Sequence, residues 1–386
     1  MNDNIRKLYK ISSKKSRVII GLMSGTSLDG LDIALCNVTD SGTKTKVIVK
    51  KFVTVPYNDE IRTRILDVFA KPVIEFKRLS ELNAWLAITH GKMILRALAK
   101  WRVKPSSVDV IASHGQTVFH APVAVTPGVS VNLTLQIGDG DHLAVNTGII
   151  TLSDFRQKHI AAGGEGAPLA VYGDYLLFSK KNEDRILLNI GGIGNFTHLK
   201  KLFVTDTGPG NTMIDQAMRH YFSQPFDKDA NVAMSGSVNN KLLSKLKEHP
   251  FFALPFPKTT GPEQFNLEYL NTCMREAITK EDIIATLTRF SAETIAEAIK
   301  RTTNNKAHKI FVSGGGAHNP LMARWISELL PNCKFSTTSD LGIDGDAKEA
   351  VLFAVLANEA LAGGDTDFGN RSKVPSVSMG KFSFPR

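Results

Sequence analysis

Two stretches of this chain are written in the same grammar. The runs "RVIIGLM", "LDIALCNV" and "KVIVKKFVTV" follow one another between residues 17 and 55, and "RILLNIGG", "GNFTHL" and "LFVTD" do so between 185 and 206. Each run is short, apolar and rich in β-branched residues, which predicts a strand. Each trio is followed by residues with helical spacing. Three strands before any helix predict an antiparallel start, unlike the parallel start of a dinucleotide-binding fold. The pattern therefore predicts an α/β protein made from a duplicated β-β-β-α unit, although no residue-level repeat is visible.

After the first trio, residues 78–101 place Leu79, Leu82, Leu86, Leu95 and Leu98 on or near one helical side, and "VDVIASHG" reads as a buried strand. After the second, helices are expected at 211–222, around 281–301, at 319–330 and at 347–361, with a strand in "KIFVSGGG". A chain of 386 residues exceeds one ordinary core. The expected division is a basic N-terminal tail at 1–17, a first domain at 18–153, a second at 154–345, and a C-terminal helix and tail at 346–386 returning to the first. The proline-bearing stretch 224–266 reads as an insertion or lid.

The net charge of +10 suggests nucleic acid until it is located. Residues 1–17 contribute +5 and residues 371–386 contribute +4, leaving +1 for everything between. Basicity confined to two ends predicts solvated tails and no nucleic-acid partner. No apolar run approaches the roughly 20 residues that span a bilayer, and the polar N-terminus lacks a signal peptide's apolar core, so a cytoplasmic protein without a membrane partner is expected. Cys36, Cys273 and Cys333 are an odd number at distant spacings, which suits a reducing compartment. His114 and His120 are the nearest approach to a metal pair, and they read as loop or core residues.

Four glycine-rich turns follow predicted strands: "GLMSGTSLDG", "NIGGIGN", "DTGPGN" and "SGGGAHN". None is a P-loop or a dinucleotide fingerprint. Glycine still lets main-chain N–H groups approach an anion, and four such turns in one chain point to phosphate. Asp206, in "FVTDTGPG", ends an apolar strand, and Asp40 in "NVTDSGT" has a similar setting, as the paired carboxylates of an aspartic protease would. Long helical periods, the absence of a disulfide pattern and the helix expected after Asp206 argue against that class. From its residues alone Asp206 is either a catalytic carboxylate or a turn or cap residue.

The turns resemble the phosphate hairpins of sugar kinases, actin and heat-shock ATPases, whose actin-like, ribonuclease-H-like domains hold a nucleotide between them. Gly25, Thr26, Ser27, Leu28, Asp29, Gly30, Leu31 and Asp32 resemble the first hairpin. Gly191, Gly192 and Asn195 resemble the second, with Asn189 where an aspartate is usual. Gly314, Gly315 and Gly316 resemble the adenosine element. The ordered set "GLMSGTSLDGLDIAL", "SHGQTVFH", "LQIGDG", "DFRQKHIAAGGEGAPL", "LNIGGIGNF", "DTGPGNTMID" and "DAKEAVLFAVLA" is similar to the anhydro-N-acetylmuramic acid kinases from about Val18 to about Ala360.

That resemblance implies ATP and Mg²⁺ as cofactors and an anhydro amino sugar as substrate. It makes Asp206 the general base and Glu349 a second carboxylate that helps to place water. Arg156 would bind the sugar's lactyl carboxylate, with His114 and Gln116 as further substrate-binding residues. An ion pair of Arg156 with Asp154 or a neighbour is the structural alternative. Asp29 would lie nearest the metal, directly or through water, or exchange that role with Asp32. A homodimer and domain closure are also implied. The rival readings are another sugar or carboxylate kinase of the same superfamily, and a non-catalytic nucleotide switch.

Overall fold

The computed structural model describes residues 1–71, 73–123, 126–180, 182–364, 366–368 and 374–386. The chain forms two compact units, one of residues 1–177 with 346–386 and one of residues 178–345.

The first unit opens with α1 (Asp3–Ser12), capped by the Asn2 side chain, which accepts from the Asn4 and Ile5 N–H groups. Three antiparallel strands follow, β1 (Ser16–Ser24), β2 (Gly30–Thr39) and β3 (Lys46–Pro56). Then come α2 (Asp59–Leu66), the long α3 (Phe76–Trp101) and β4 (Val110–Ala121), which pairs parallel to β1. Next are β5 (Leu133–Ile137), α4 (Gly140–Thr147), β6 (Thr151–Ser153) parallel to β4, α5 (Phe155–Ala161) and α6 (Ala170–Phe178). The unit break falls after α6, later than the expected 153/154 boundary. Both helices keep company with the first unit: the Phe155 ring meets Phe353, and Tyr172 meets Phe368.

The second unit restarts the pattern with antiparallel β7 (Arg185–Ile190), β8 (Ile193–His198) and β9 (Phe203–Pro209). Helices α7 (Thr212–Phe222), α8 (Asn231–Ser235), α9 (Asn240–Leu246), α10 (Leu267–Cys273) and α11 (Lys280–Thr303) follow. The unit closes with β10 (Lys309–Ser313), α12 (Pro320–Leu329) and β11 (Lys334–Thr337), where β10 runs parallel to both β7 and β11. Stretch 224–266 is anchored in the core: Ala230, Ala233, Leu242, Leu243, Leu246, Phe251 and Phe265 all lie in the unit's main apolar cluster.

The chain then returns to the first unit with α13 (Lys348–Ala362) and β12 (Lys381–Ser383), which pairs antiparallel with β6. Strand order within the sheets is β3-β2-β1-β4-β6 with β12 beyond, and β9-β8-β7-β10-β11. Order and strand directions are thus the same in both units, so the duplication read from the sequence is a duplication of topology. Helix α13 lies against β1 so closely that a Cβ on Gly21 would overlap the Ala350 carbonyl, which is why glycine stands there.

Neither basic end is the solvated tail expected from charge. Ile11 is buried, and the buried Arg17 guanidinium donates to the Ile11, Ser12 and Lys14 carbonyls and to Asn358 Oδ1. At the other end β12 is paired, while residues 371–373 lie outside the described residues. Among the described residues no helix is long and apolar enough to cross a membrane.

Candidate active site

In the first unit, the β1–β2 hairpin turn is exposed at Thr26, Ser27 and Asp29, while Leu28, Gly30 and Leu31 are buried behind it. Leu28 adopts a positive φ of 56°, an uncommon conformation for a branched side chain, and its carbonyl accepts from Arg62 Nε at 3.1 Å. Asp29 Oδ1 accepts from Ser27 Oγ and from the Gly30 N–H, each at 3.0 Å. Asp32 accepts from Thr54 Oγ1 at 2.5 Å. Burial pushes the Asp32 carboxyl up, and the neighbouring Asp29 and Asp346 push it further against the Thr54 bond. Glu349, in the first turn of α13, is likewise raised by burial, with Arg156 opposing and Asp32 adding. Asp29 and Asp32 are oxygen donors of the kind Mg²⁺ takes, and neither belongs to a group of three converging ligands among the described residues.

Arg156 does not pair with Asp154, which instead bonds Lys381 Nζ at 2.9 Å. Its Nε–H donates to His114 Nε2 at 2.9 Å, and Nη1 donates to the Gly166 carbonyl at 2.8 Å. His114 in turn sets Nδ1 against the Gly115 carbonyl at 2.8 Å and packs its ring on Phe353. Burial, reinforced by Arg156, holds this imidazole down at about 3, so it is neutral, with the Nε2 lone pair kept for the guanidinium. Gln116 is fully buried: Oε1 accepts from the Ser24 hydroxyl, and Nε2 donates to the Gly25 and Thr117 carbonyls at 3.2 Å. The expectation that His114 and Gln116 bind substrate directly meets a different geometry. Their polar atoms are engaged within the protein, where one orients Arg156 and the other fixes the hairpin turn.

In the second unit the other three glycine turns meet. The Gly210 and Thr212 N–H groups donate to the Gly192 carbonyl at 2.8 and 3.0 Å, and the Asn211 N–H donates to Gly191 at 2.8 Å. Gly314, at φ 84°, passes so near β7 that a Cβ would lie 2.6 Å from the Ile190 carbonyl and 2.8 Å from Asn189 Oδ1. Gly315 would meet Asn211 Nδ2 at 3.5 Å. Gly191, Gly192, Gly314, Gly315 and Gly316 are therefore assembled at one end of β7 and β10, with α12 beginning beside them.

Asp206 sits on β9 opposite Asn195, immediately before a bulge: Asn195 faces Asp206 and Gly194 faces Gly208, so Thr207 is the extra residue. Thr207 Oγ1 anchors the bulge on the Gly194 carbonyl at 3.0 Å. The Asp206 N–H donates to the Lys258 carbonyl at 2.9 Å, and Oδ2 accepts from the Thr260 N–H at 2.9 Å. Burial raises its carboxyl to about 6, with the Thr260 N–H pulling the other way. A carboxylate in that range is a usable base near neutral pH.

A profile of the anhydro-N-acetylmuramic acid kinase family matches residues 17–369. The kinase of that name from Pseudoalteromonas atlantica is 52% identical over the whole of both chains, and that from Pseudoalteromonas translucida is 49% identical over the same span. The chain belongs to the anhydro-N-acetylmuramic acid kinase family. It is a kinase, a phosphotransferase with an alcohol acceptor, and its α/β fold is of the class that the hairpin resemblance implied. Among solved structures, a Schistosoma mansoni hexokinase with glucose matches at 9% identity and a TM-score of 0.38, covering 89% of this chain and 86% of that one.

Two features of this kinase escaped the sequence. Lys258 and Thr260 hold Asp206 from a position more than fifty residues downstream, which no local spacing signals. Asp184, His198 and His308 also approach one another, at the end of β7 away from Gly191. His198 Nδ1 accepts from the Lys201 N–H, which leaves its Nε2–H 3.4 Å from Asp184 Oδ1, while His308 Nδ1 faces the Lys306 carbonyl at 2.7 Å and its Nε2 stands 3.3 Å from Asp184 Oδ2. Asp184 Oδ1 and His198 Nε2 are buried there without a hydrogen bond.

Proposed function

We propose that this kinase hydrolytically opens 1,6-anhydro-N-acetylmuramic acid and phosphorylates O6, giving N-acetylmuramic acid 6-phosphate and ADP. This chemistry belongs to cytoplasmic recycling of cell-wall fragments. The observation that carries the reading is the setting of Asp206: a half-buried carboxylate in the middle of β9 with one oxygen bonded to the Thr260 N–H and its pKa raised to about 6.

The anhydro sugar has no free 6-hydroxyl, so an ordinary kinase base would find nothing to deprotonate. Asp206 Oδ1 takes a proton from water. The water oxygen bonds to C1 as the C1–O6 bond breaks, and O6 forms its bond to the γ-phosphorus as the β–γ bridge of ATP breaks toward ADP. The proton leaves with the next solvent exchange. Glu349 orients that water, and Arg156, aimed by His114 and Gly166, receives the lactyl carboxylate. The exposed turn at Thr26 and Ser27 and the assembled glycines at 191–192 and 314–316 offer main-chain N–H groups to the nucleotide phosphates. Asp29 and Asp32 would hold Mg²⁺, which supplies charge neutralisation on those phosphates.

Turnover in water enriched in heavy oxygen, quenched before the reducing sugar exchanges, tests the reading. One solvent oxygen is expected at C1 and none in the phosphate. Turnover without label at C1 would overturn the hydrolytic step.

A further inference from the structure

Lys258 is buried, at 7% exposure, with its ammonium among aromatic rings: Nζ lies 4.3 Å from the centroid of Phe251 and 4.7 Å from that of Phe256. It donates to the Phe251 carbonyl at 2.9 Å and to the Phe252 carbonyl at 3.3 Å. Arg301 competes for the same surroundings, with Nη1 on the Phe252 carbonyl at 2.9 Å and its guanidinium over the Phe256 ring. Burying an ammonium beside a second cation is unfavourable, and an apolar side chain would fill the same space at less cost. Some return must come from what the charge ties together.

The return is visible in the main chain. The Lys258 N–H donates to Thr205 Oγ1 at 3.0 Å, and its carbonyl accepts from the Asp206 N–H at 2.9 Å and from Thr205 Oγ1 at 3.1 Å. Two residues on, the Thr260 N–H reaches Asp206 Oδ2. β9 is the edge of its sheet, so residues 258–260 lie along it as a short added edge. The added edge is tethered on its far side by the ammonium, which joins it to the turn at 250–253.

We infer that Lys258 is a positioning residue for the base: its ammonium locks residues 258–260 against β9, so that Oδ2 of Asp206 is held and Oδ1 is presented to water. The inference rests on the proposed role of Asp206. Burial, with Arg301 adding, lowers the ammonium to about 8, so the tether weakens as pH rises through that value.

The test is steady-state kinetics of the full-length kinase with ATP and the anhydro sugar, for Lys258→Met, Asp206→Asn and the double variant, across pH 5–9. Lys258→Met is expected to lower kcat about 10- to 100-fold while the KM for ATP changes little. Its acid limb should move up from near 6, because the N–H that holds the Asp206 pKa down is loosened. Lys258→Arg, which keeps charge and donors, should recover part of the loss, and the double variant should be no slower than Asp206→Asn alone. Lys258→Gln replaces Lys258→Met if the latter does not fold. Wild-type kcat and an unmoved acid limb in the Lys258 variants, with Asp206→Asn inactive, would overturn this inference and leave the base standing. Full activity in Asp206→Asn would overturn both. Multiplicative losses in the double variant would show that Lys258 acts on something other than Asp206.

Discussion

Arg156 donates its Nε–H to Nε2 of His114 at 2.9 Å, and the imidazole is held in the matching tautomer by its own contact with the Gly115 carbonyl. A guanidinium aimed in this way spends two donors on orientation, Nε–H on His114 and Nη1 on the Gly166 carbonyl, and keeps its charge and remaining donors for recognition. His114→Ala should therefore raise the KM for the anhydro sugar about 10-fold, with a smaller effect on kcat, because Arg156 loses direction but not charge. Since the ring is pulled down to about 3, it stays neutral from pH 5 to 9, and no histidine limb from this residue should appear in the pH profile of the sugar KM.

Asp206→Asn should lower kcat on the order of 10²- to 10⁴-fold and abolish the acid limb near pH 6. The stability effect has the opposite sign. The folded pKa lies above the unfolded value of 3.8, so the folded state binds this proton more tightly, and that contribution is lost as pH rises through about 6. At pH 8 the charged carboxylate is a burden that asparagine removes. Denaturant titration at pH 8 should find the variant no less stable than wild type, and more stable by on the order of 1–2 kcal/mol. At pH 4 the two should converge, and a loss of stability at pH 8 would contradict the burial argument.

Gly21→Ala should be among the most damaging single-methyl changes in the first unit. The added carbon would occupy the position of the Ala350 carbonyl, a main-chain atom that cannot swing aside, so β1 and α13 must separate. A loss of about 3 kcal/mol or more is expected in urea unfolding, with the far-UV spectrum of the remaining folded protein unchanged.

Deleting residues 1–14 should destabilise the first unit. It removes Ile11 from its buried position and strips the buried Arg17 of three main-chain acceptors, leaving charged donors without partners. Thermal unfolding should show a drop of several degrees. An unchanged melting temperature would restore the view of this segment as a solvated tail.

How much of this was legible depends on the distance over which each feature is decided. The strand trios, the glycine turns and the helices at 78–101, 281–301 and 347–361 are encoded by neighbours a few residues apart, and the structure places elements on each. The N-terminal segment was misread because a charge count registers six basic side chains and is blind to the one apolar residue, Ile11, that docks it. The family resemblance makes His114 and Gln116 substrate-binding residues, and the bulge in β4 around Gly115 engages polar atoms of both with the protein itself.

By itself the sequence determined the twofold β-β-β-α pattern and the family, since each is written in contiguous residues and in ordered motifs; it singled out Asp206 but ended the strand there, where β9 runs on to Pro209. Tertiary structure alone decided what that carboxylate is. Its proton affinity comes from burial, its orientation from the Thr260 N–H, and its edge of the sheet from a lysine fifty-two positions away. Desolvation and long-range hydrogen bonds depend on which distant segments are brought together, and no local pattern of residue types carries that information.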